Sequence, residues 1–198
     1  MSTNIHGPYT LKHISRPIND RGIVRDSTVF QDDDGSAYFI YDRDVREAGP
    51  DYGRALHIVK LTDDYTDFTN TWSKISPAVR REAPVILKRR GTYYMVTSAE
   101  TGWKDNAANY YRATNLLGPW TELPNPTIGP FAGVTYHSQG TWSFNIHGHP
   151  EEVIFMAERH ITERMTDSSY IFLPVRFTTG DTLALPYLRE WRWNPWPN

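Results

Sequence analysis

Residues 80–98 read RREAPVILKRRGTYYMVTS: a charged entry, a short apolar run, a basic turn with a glycine, and a second run rich in tyrosine and β-branched residues. Two such runs joined by a glycine turn predict a β-hairpin. The pattern occurs twice more, over residues 25–41 and 138–157. The turn glycines Gly35, Gly91 and Gly148 are 56 and 57 residues apart. A long fixed period with several short strands per unit is typical of the blades of a β-propeller.

Each hairpin carries a polar residue nine positions before its turn glycine, namely Asp26, Glu82 and Gln139. Equivalent positions at the start of each first strand converge on the axis of a propeller, so we expect these three side chains around one funnel. A carboxyl group there is partly desolvated, and a neighbouring carboxylate raises its pKa further, as a general acid requires at neutral pH. Glu82 is therefore the candidate acid. A neutral amide at Gln139 suits the holding of a water or a sugar hydroxyl.

Each of these residues also has a structural interpretation. Glu82 can be an exposed residue paired with Arg80 or Arg81, and Asp26 can cap a turn. Gln139 can satisfy backbone groups at a strand end. The shared phase of the three residues in the repeat favours the funnel.

Composition limits the functional class. A net charge of −2 over 198 residues, with 39% hydrophobic residues, indicates a chain with a real core and argues against a basic nucleic-acid binder or a disordered tail. The chain has no cysteine, which excludes disulfides and thiolate metal sites. Residues 1–8 lack the pattern of a signal peptide, and no apolar run has the length of a membrane span. We expect no membrane partner, and the compartment stays open.

Two motifs resemble metal ligands. Asp32-Asp33-Asp34-Gly35 lacks the register and terminal glutamate of a calcium loop, and His147-Gly148-His149 occupies the equivalent turn with no visible third ligand. Both are predicted to be hairpin turns, and we expect neither a metal nor a cofactor.

A long polar loop follows the second hairpin. It contains Trp103, Asn106 and Asn109, which would border the rim of the funnel. A tryptophan face and amide groups there can bind a pyranose ring; the alternative is that they pack the loop.

We predict an all-β chain forming one partial propeller domain over residues 1–198. The expected blades are 23–77, 78–126 and 127–198, and residues 1–22 are the outer strand of a preceding blade, because Gly7-Pro8-Tyr9 recurs as Gly118-Pro119-Trp120 before a short strand. A last strand is expected near 187–193. No stretch keeps a helical apolar period for more than about two turns, so few or no α-helices are expected.

Several segments, spread over nearly the whole chain, match a known family in its order: 25–30, 32–35, 61–65, 81–84, 97–98, 101–103 with Asn106, 117–120, 138–139 and 170–174. Through these segments the chain resembles glycoside hydrolase family 43, the five-bladed β-propeller glycosidases, and within it the exo-β-1,3-galactanases.

The resemblance implies a role for each candidate residue. Glu82 would protonate the departing glycosidic oxygen, and Asp26 would raise the pKa of Glu82 and orient it. Family members invert the anomeric centre with a water opposite the acid. Most use an upstream Asp as base, whereas the galactanase group has a Gln near the water, and Gln139 matches it. Thr101 and Ser138 lie in matched segments and are, with the loop residues above, expected to contact an oligo- or polysaccharide substrate.

A five-bladed relative should have about two further blades before residue 1. We therefore expect a truncated or split member whose open blade edges need self-association or a complementing chain. Other interpretations are a catalytically inactive carbohydrate-binding propeller, or β-xylosidase or α-L-arabinofuranosidase specificity. Related enzymes are commonly exported, although no signal peptide is visible in this chain.

Overall fold

The structure is a computed structural model that describes residues 1–19, 22–45, 53–75 and 80–193. These residues form an all-β fold, as predicted, in which the helical segments are short 3₁₀ turns. The strands are β1 (Ile23–Gln31), β2 (Ala37–Val45), β3 (Gly53–Leu61), β4 (Phe68–Lys74), β5 (Arg81–Arg89), β6 (Thr92–Ala99), β7 (Asn109–Ala113), β8 (Thr121–Leu123), β9 (Thr127–Ile128), β10 (Gln139–Ile146), β11 (His149–Arg159), β12 (Ser169–Pro174), β13 (Arg176–Thr178) and β14 (Thr182–Pro186).

The described strands form four sheets. Two are four-stranded antiparallel meanders in the orders β1-β2-β3-β4 and β5-β6-β7-β8. The third is the antiparallel sheet β10-β11-β12, and the fourth is the β13-β14 hairpin with β9 parallel to β14. The three hairpins read from the sequence are β1-β2, β5-β6 and β10-β11. This arrangement is a partial β-propeller, as predicted.

The second sheet is buried on both faces. Along β6, Tyr94 and Val96 pack into one apolar core with residues of the third and fourth sheets, whereas Tyr93 and Met95 pack into another with residues of the first sheet. Alternation of side chains along a strand directs neighbouring residues to opposite faces. The apolar residues of β6 are therefore consecutive because this blade packs against another blade on each of its two faces.

The third sheet approaches the second closely at Gly140. A β-carbon at this position would lie 2.7 Å from Val85 Cγ2 and 3.1 Å from the Phe155 ring. Only glycine fits, and its absence of a side chain lets the first strands of the two sheets approach at the position next to Gln139.

Residues 1–19 contain no strand in the structure, and the assignment of residues 1–22 to a preceding blade stays a prediction. They are attached by side chains to the connection between β3 and β4: Lys12 Nζ lies 3.3 Å from Asp64 Oδ2, and His13 Nε2 lies 3.3 Å from Asp67 Oδ2. The second copy of the Gly-Pro motif does precede a strand, β8. The Gly-Pro motif alone therefore does not predict that the residues after it pair into a strand.

The expected last strand near 187–193 is also wrong. The final ladder ends at Pro186 in β14, and residues 187–193 form no strand. Trp191 reaches β12 through its side chain, with Nε1 donating to the Phe172 carbonyl at 2.7 Å. Residues 127–193 thus contribute to two sheets rather than one, and the division into three blades stays a prediction. Residues 46–52, which connect β2 to β3, and the C-terminal residues 194–198, with Trp196, lie outside the described residues.

No helix in the described part of the chain is long and apolar enough to cross a membrane.

Candidate active site

The backbone is irregular where the candidate residues lie. In the β1-β2 pairing the register shifts between Val24 and Ser27, and in β5-β6 it shifts between Glu82 and Val85. Ala83, directly after Glu82, has a φ of +50°. Such bulges bend a strand and redirect its side chains, and they concentrate next to active sites. They allow Asp26 and Glu82 to leave the regular alternation of their strands.

Glu82 lies between an arginine and an amide. Arg54 Nη2 donates to Glu82 Oε2 at 3.3 Å, and Gln139 Nε2 donates to Glu82 Oε1 at 3.4 Å. The guanidinium of Arg81 binds Thr97 instead, so the pairing of Glu82 with its sequence neighbour is not what the structure shows. Burial and then the charge of Asp26 raise the pKa of Glu82, while Arg54 opposes the rise.

Asp26 is exposed and lines a 310 Å³ cleft. Gln139 lines the same cleft, together with Trp103 from the rim loop and with Glu158 and His160 from the end of β11. The structure thus brings Asp26, Glu82 and Gln139 to one place. Glu82 is in hydrogen-bond contact with Gln139 and is close enough to Asp26 to respond to its charge.

Trp103 stands at the rim of this cleft. Its side chain is 72% exposed, and its ring meets that of His160 edge-on at a centroid distance of 5.0 Å. An exposed indole supported from one side presents its other surface to a ligand.

The polar groups near Trp103 are occupied within the protein. Asn106 accepts from the Ala99 amide at 2.9 Å and donates to the Ala99 carbonyl and to Thr101 Oγ1. Ser138 Oγ donates to the Thr135 carbonyl at 2.5 Å. Asn106 and Ser138 line a smaller cleft beside the first. These bonds are those expected if Asn106 packs its loop, and substrate contact by these residues stays a prediction.

Asn109 lies apart from the other candidates. It is the first residue of β7, and its amide donates to Glu122 Oε1 at 2.8 Å. The sequence placed it in the rim loop because the start of β7 carries no turn signal.

Sequence reasoning missed a cluster of charges behind Glu82. Arg54 donates Nη1 to Glu100 Oε2 at 2.6 Å and also binds Asp42, whose side chain is fully buried. A signal was present, since Asp42 directly follows the apolar run 37–41 and Arg54 directly precedes the largely apolar run 55–59. It also missed Glu158 and His160, a pair with Oε1 and Nε2 3.2 Å apart.

Among the described residues, no group of three or more histidine, aspartate or glutamate side chains is arranged to hold a metal ion.

A raised-pKa carboxyl, a second carboxyl, an amide and an aromatic rim, gathered where propeller strands begin, are typical of a glycoside-cleaving site. Comparison with known proteins agrees: glycosyl hydrolases family 43 matches residues 1–155, and the chain belongs to this family. A curated relative, a β-D-galactofuranosidase of Aspergillus niger, is 31% identical over 105 residues, which are 52% of this chain and 28% of that protein.

Solved structures of the family superpose on most of the chain. A family 43 β-1,3-galactosidase solved with galactodeoxynojirimycin has a TM-score of 0.80 and 36% identity, covering 88% of this chain and 48% of its own. A second β-1,3-galactosidase has a TM-score of 0.84 and 31% identity, covering 96% and 38%. An exo-β-1,3-galactanase of Clostridium thermocellum has a TM-score of 0.70 and 33% identity, covering 84% and 34%. The chain therefore spans about half or less of the length of these relatives.

Proposed function

We propose that this chain carries the acid half of an inverting exo-glycosidase site that removes terminal galactose from β-1,3-linked galactan or related plant polysaccharides. The observation that supports this most directly is the position of Glu82, partly buried, facing the charge of Asp26 and in contact with Gln139. The choice of sugar follows the β-1,3-galactosidases and the galactanase to which the chain is similar.

Glu82 acts as the general acid in this proposal. Its raised pKa increases the fraction of the carboxyl that carries a proton at a given pH, and that proton passes to the glycosidic oxygen as the bond between this oxygen and the anomeric carbon breaks. The charge of Asp26 sustains the proton affinity of Glu82 and faces the cationic character that develops on the sugar.

Gln139 holds the attacking water through its amide carbonyl in this scheme. The water must lie on the face of the sugar opposite Glu82. Because Gln139 Nε2 is 3.4 Å from Glu82 Oε1, the sugar ring has to come between the two side chains and replace their hydrogen bond. An amide is not an ordinary base, so the proton lost by the water passes to another acceptor or to solvent.

The test is galactose release from β-1,3-galactan and β-1,3-galactobiose by the 198-residue chain, with Glu82→Gln as the paired variant. Loss of a positioned general acid lowers the rate by about 10²–10⁴-fold. Glu151→Gln is the matched control, since Glu151 pairs with Arg89 and Arg90 at the opposite end of β5. Proton NMR of the first product formed should show the α-anomer.

Turnover that survives in Glu82→Gln would contradict the assignment of the acid. A folded wild type that binds galactobiose without cleaving it would instead make the chain a carbohydrate-binding propeller, with Trp103 as its platform. A panel of nitrophenyl β-xylosides and α-L-arabinofuranosides distinguishes the other family specificities.

We also propose that protein surface, from a second copy or a complementing chain, covers the exposed side of the blades. Val29, Trp142 and Phe144 are each more than 40% exposed and line a 690 Å³ cleft between the first three sheets. Exposed apolar surface of this kind marks an interaction site. Gel filtration with light scattering tests this, and a stable, well-folded monomer would contradict it.

A further inference from the structure

Arg54 is shared by three carboxylates. Its Nη1 lies 2.6 Å from Glu100 Oε2, and its Nη2 lies 3.3 Å from Glu82 Oε2 and also binds Asp42 Oδ2. The Arg54 side chain is 16% exposed, that of Glu100 5% and that of Asp42 0%. A guanidinium has five N–H donors in a rigid fork, which lets it hold several carboxylates in fixed directions.

The fold brings these groups together from two sheets. Asp42 and Arg54 lie on the neighbouring strands β2 and β3, whereas Glu82 is the second residue of β5 and Glu100 follows the end of β6. Arg54 therefore spans from the first sheet to the second. Arg54 and Gln139, on β10, donate to different oxygens of the Glu82 carboxylate.

The cluster has more acid than base. One guanidinium faces Asp42, Glu82 and Glu100, and the charge of Asp26 acts on Glu82 from β1. In the described part of the chain, Glu100 Oε1 and Asp42 Oδ1 are buried without a hydrogen-bond partner. A buried carboxylate with an unsatisfied oxygen is costly, and this favours a proton on the group. Burial raises the pKa of Glu100 to about 7, against the opposing charge of Arg54.

We propose that Arg54 is a positioning residue for Glu82 and that Glu100 competes with Glu82 for its guanidinium, so that ionisation of Glu100 strengthens the hold of Glu82 on its proton. The proposal rests on the proposed function of Glu82 as the general acid. When Glu100 is neutral, Arg54 is shared by Asp42 and Glu82 and favours the ionised form of Glu82. When Glu100 is ionised, it draws on Arg54 and its own charge disfavours ionisation of Glu82. The acid thus stays protonated to higher pH.

The charged groups that face Glu82 or Glu100 are Asp26 on β1, Asp42 on β2, Arg54 on β3, Arg81 on β5 and, near Glu100, Arg80. β10 contributes the neutral amide of Gln139. Arg81 is committed to Thr97, which leaves Arg54 as the cation in hydrogen-bond contact with Glu82 among the described residues.

The test compares Glu100→Gln and Arg54→Gln in the whole chain, with Arg90→Gln at the far end of β5 as the matched control. The measurement is a ¹³C NMR titration of the glutamate side-chain carboxyls, with the Glu82 signal assigned from Glu82→Gln. Where wild type turns over galactobiose, the basic limb of kcat/KM against pH is measured as well.

Glu100→Gln should lower the titration midpoint of Glu82 by about one pH unit, and Arg54→Gln should raise it by about one unit. Arg90→Gln should leave it unchanged. A basic limb that moves in the same two opposite directions would extend the result to catalysis. A merely structural role for Arg54 predicts no such opposite displacement.

A Glu82 midpoint that stays at its wild-type value in both variants would overturn the proposal, and so would unfolding of both variants in circular dichroism. Glu100→Gln is nearly isosteric and carries the test alone if Arg54→Gln does not fold. The NMR titration does not require turnover. If wild type is inactive and the two variants still shift the Glu82 midpoint in opposite directions, the proposed function is contradicted and the coupling between Glu100 and Glu82 is supported. If wild type is active and the Glu82 midpoint does not change in either variant, the coupling is contradicted and the proposed function is supported.

Discussion

The first two sheets are joined by charge clusters at both ends of β1 and β5, and the two clusters differ in their balance. At the turn end, Lys88 Nζ lies 2.5 Å from Asp32 Oδ1 and 2.8 Å from Asp33 Oδ2, and Tyr93 donates to Asp32 Oδ2 at 2.6 Å. At the site end, Arg54 forms ion pairs with Asp42, Glu82 and Glu100, and the charge of Asp26 acts on Glu82.

The two clusters shift their carboxyl groups in opposite directions. Burial acts to raise the pKa of Asp32, but hydrogen bonds from Lys88 and Tyr93 outweigh it and hold that pKa below its ordinary value. Burial raises the pKa values of Glu82 and Glu100, and Arg54 only partly offsets the rise. A cluster with enough donors stabilises the contact between two blades, whereas one with surplus acid favours protonation of its carboxyl groups, as the role proposed for Glu82 requires.

The largest expected effect is on stability at the site end. The pKa of Glu100 rises from an ordinary 4.5 to about 7, so folding is favoured when this group is protonated and loses that contribution as the pH rises through 4.5 to 7. The Glu100→Gln variant has no group that titrates at this position, so it does not lose this stability as the pH rises. The free energy of unfolding of the variant minus that of wild type should therefore increase by about 3 kcal/mol between pH 4 and pH 8, since one pKa unit is about 1.4 kcal/mol. Urea unfolding across this range measures it, and a pH-independent difference would contradict it.

At the turn end the pH dependence of stability has the opposite sign. Asp32→Asn should destabilise the protein by about 2 kcal/mol near pH 7, because it leaves Lys88 partly buried without its closest partner. The pKa of Asp32 is lowered from 3.8, so this contribution is present above about pH 4 and is lost as the pH falls below it.

Asp33→Asn is the matched control for the turn end. Asp33 also pairs with Lys88, but its side chain is 85% exposed, and the loss should be only a few tenths of a kcal/mol. Equal losses in the two variants would show that burial of Asp32 is not what makes its pair strong.

The smallest effect concerns backbone strain. Ala83 at the bulge and Arg90 at the hairpin turn have φ values of +50° and +47°. A left-handed conformation costs a residue with a side chain about 1–2 kcal/mol, and glycine adds about 0.5–1 kcal/mol of unfolded-state entropy. Ala83→Gly and Arg90→Gly should therefore both stabilise by about 0.5 kcal/mol in urea unfolding.

The two glycine variants should differ in function, because Ala83 adjoins Glu82 and Arg90 lies at the other end of the strand. Only Ala83→Gly should lower the rate of galactobiose cleavage, since a looser bulge holds the acid less firmly. Identical rates in both variants would show that the bulge does not orient Glu82.

Local pattern in the sequence determined the hairpins and the all-β class, and it predicted that Asp26, Glu82 and Gln139 lie close together. These follow from short-range signals: glycine turns, alternating apolar runs and a fixed phase within a repeat. The same signals failed for residues 187–193, because a segment becomes a strand only when another strand is available to pair with it.

Only the tertiary structure decided which charges meet. Arg54 is 28 positions from Glu82 and 46 from Glu100 in the chain, and their contact depends on how two separately folded sheets pack. Asn109 shows the same limit, since its partner Glu122 is set by the β7-β8 pairing. The proton affinity of Glu82 is therefore a property of the packed blades: burial and neighbouring charges set it, and neither is encoded within one strand.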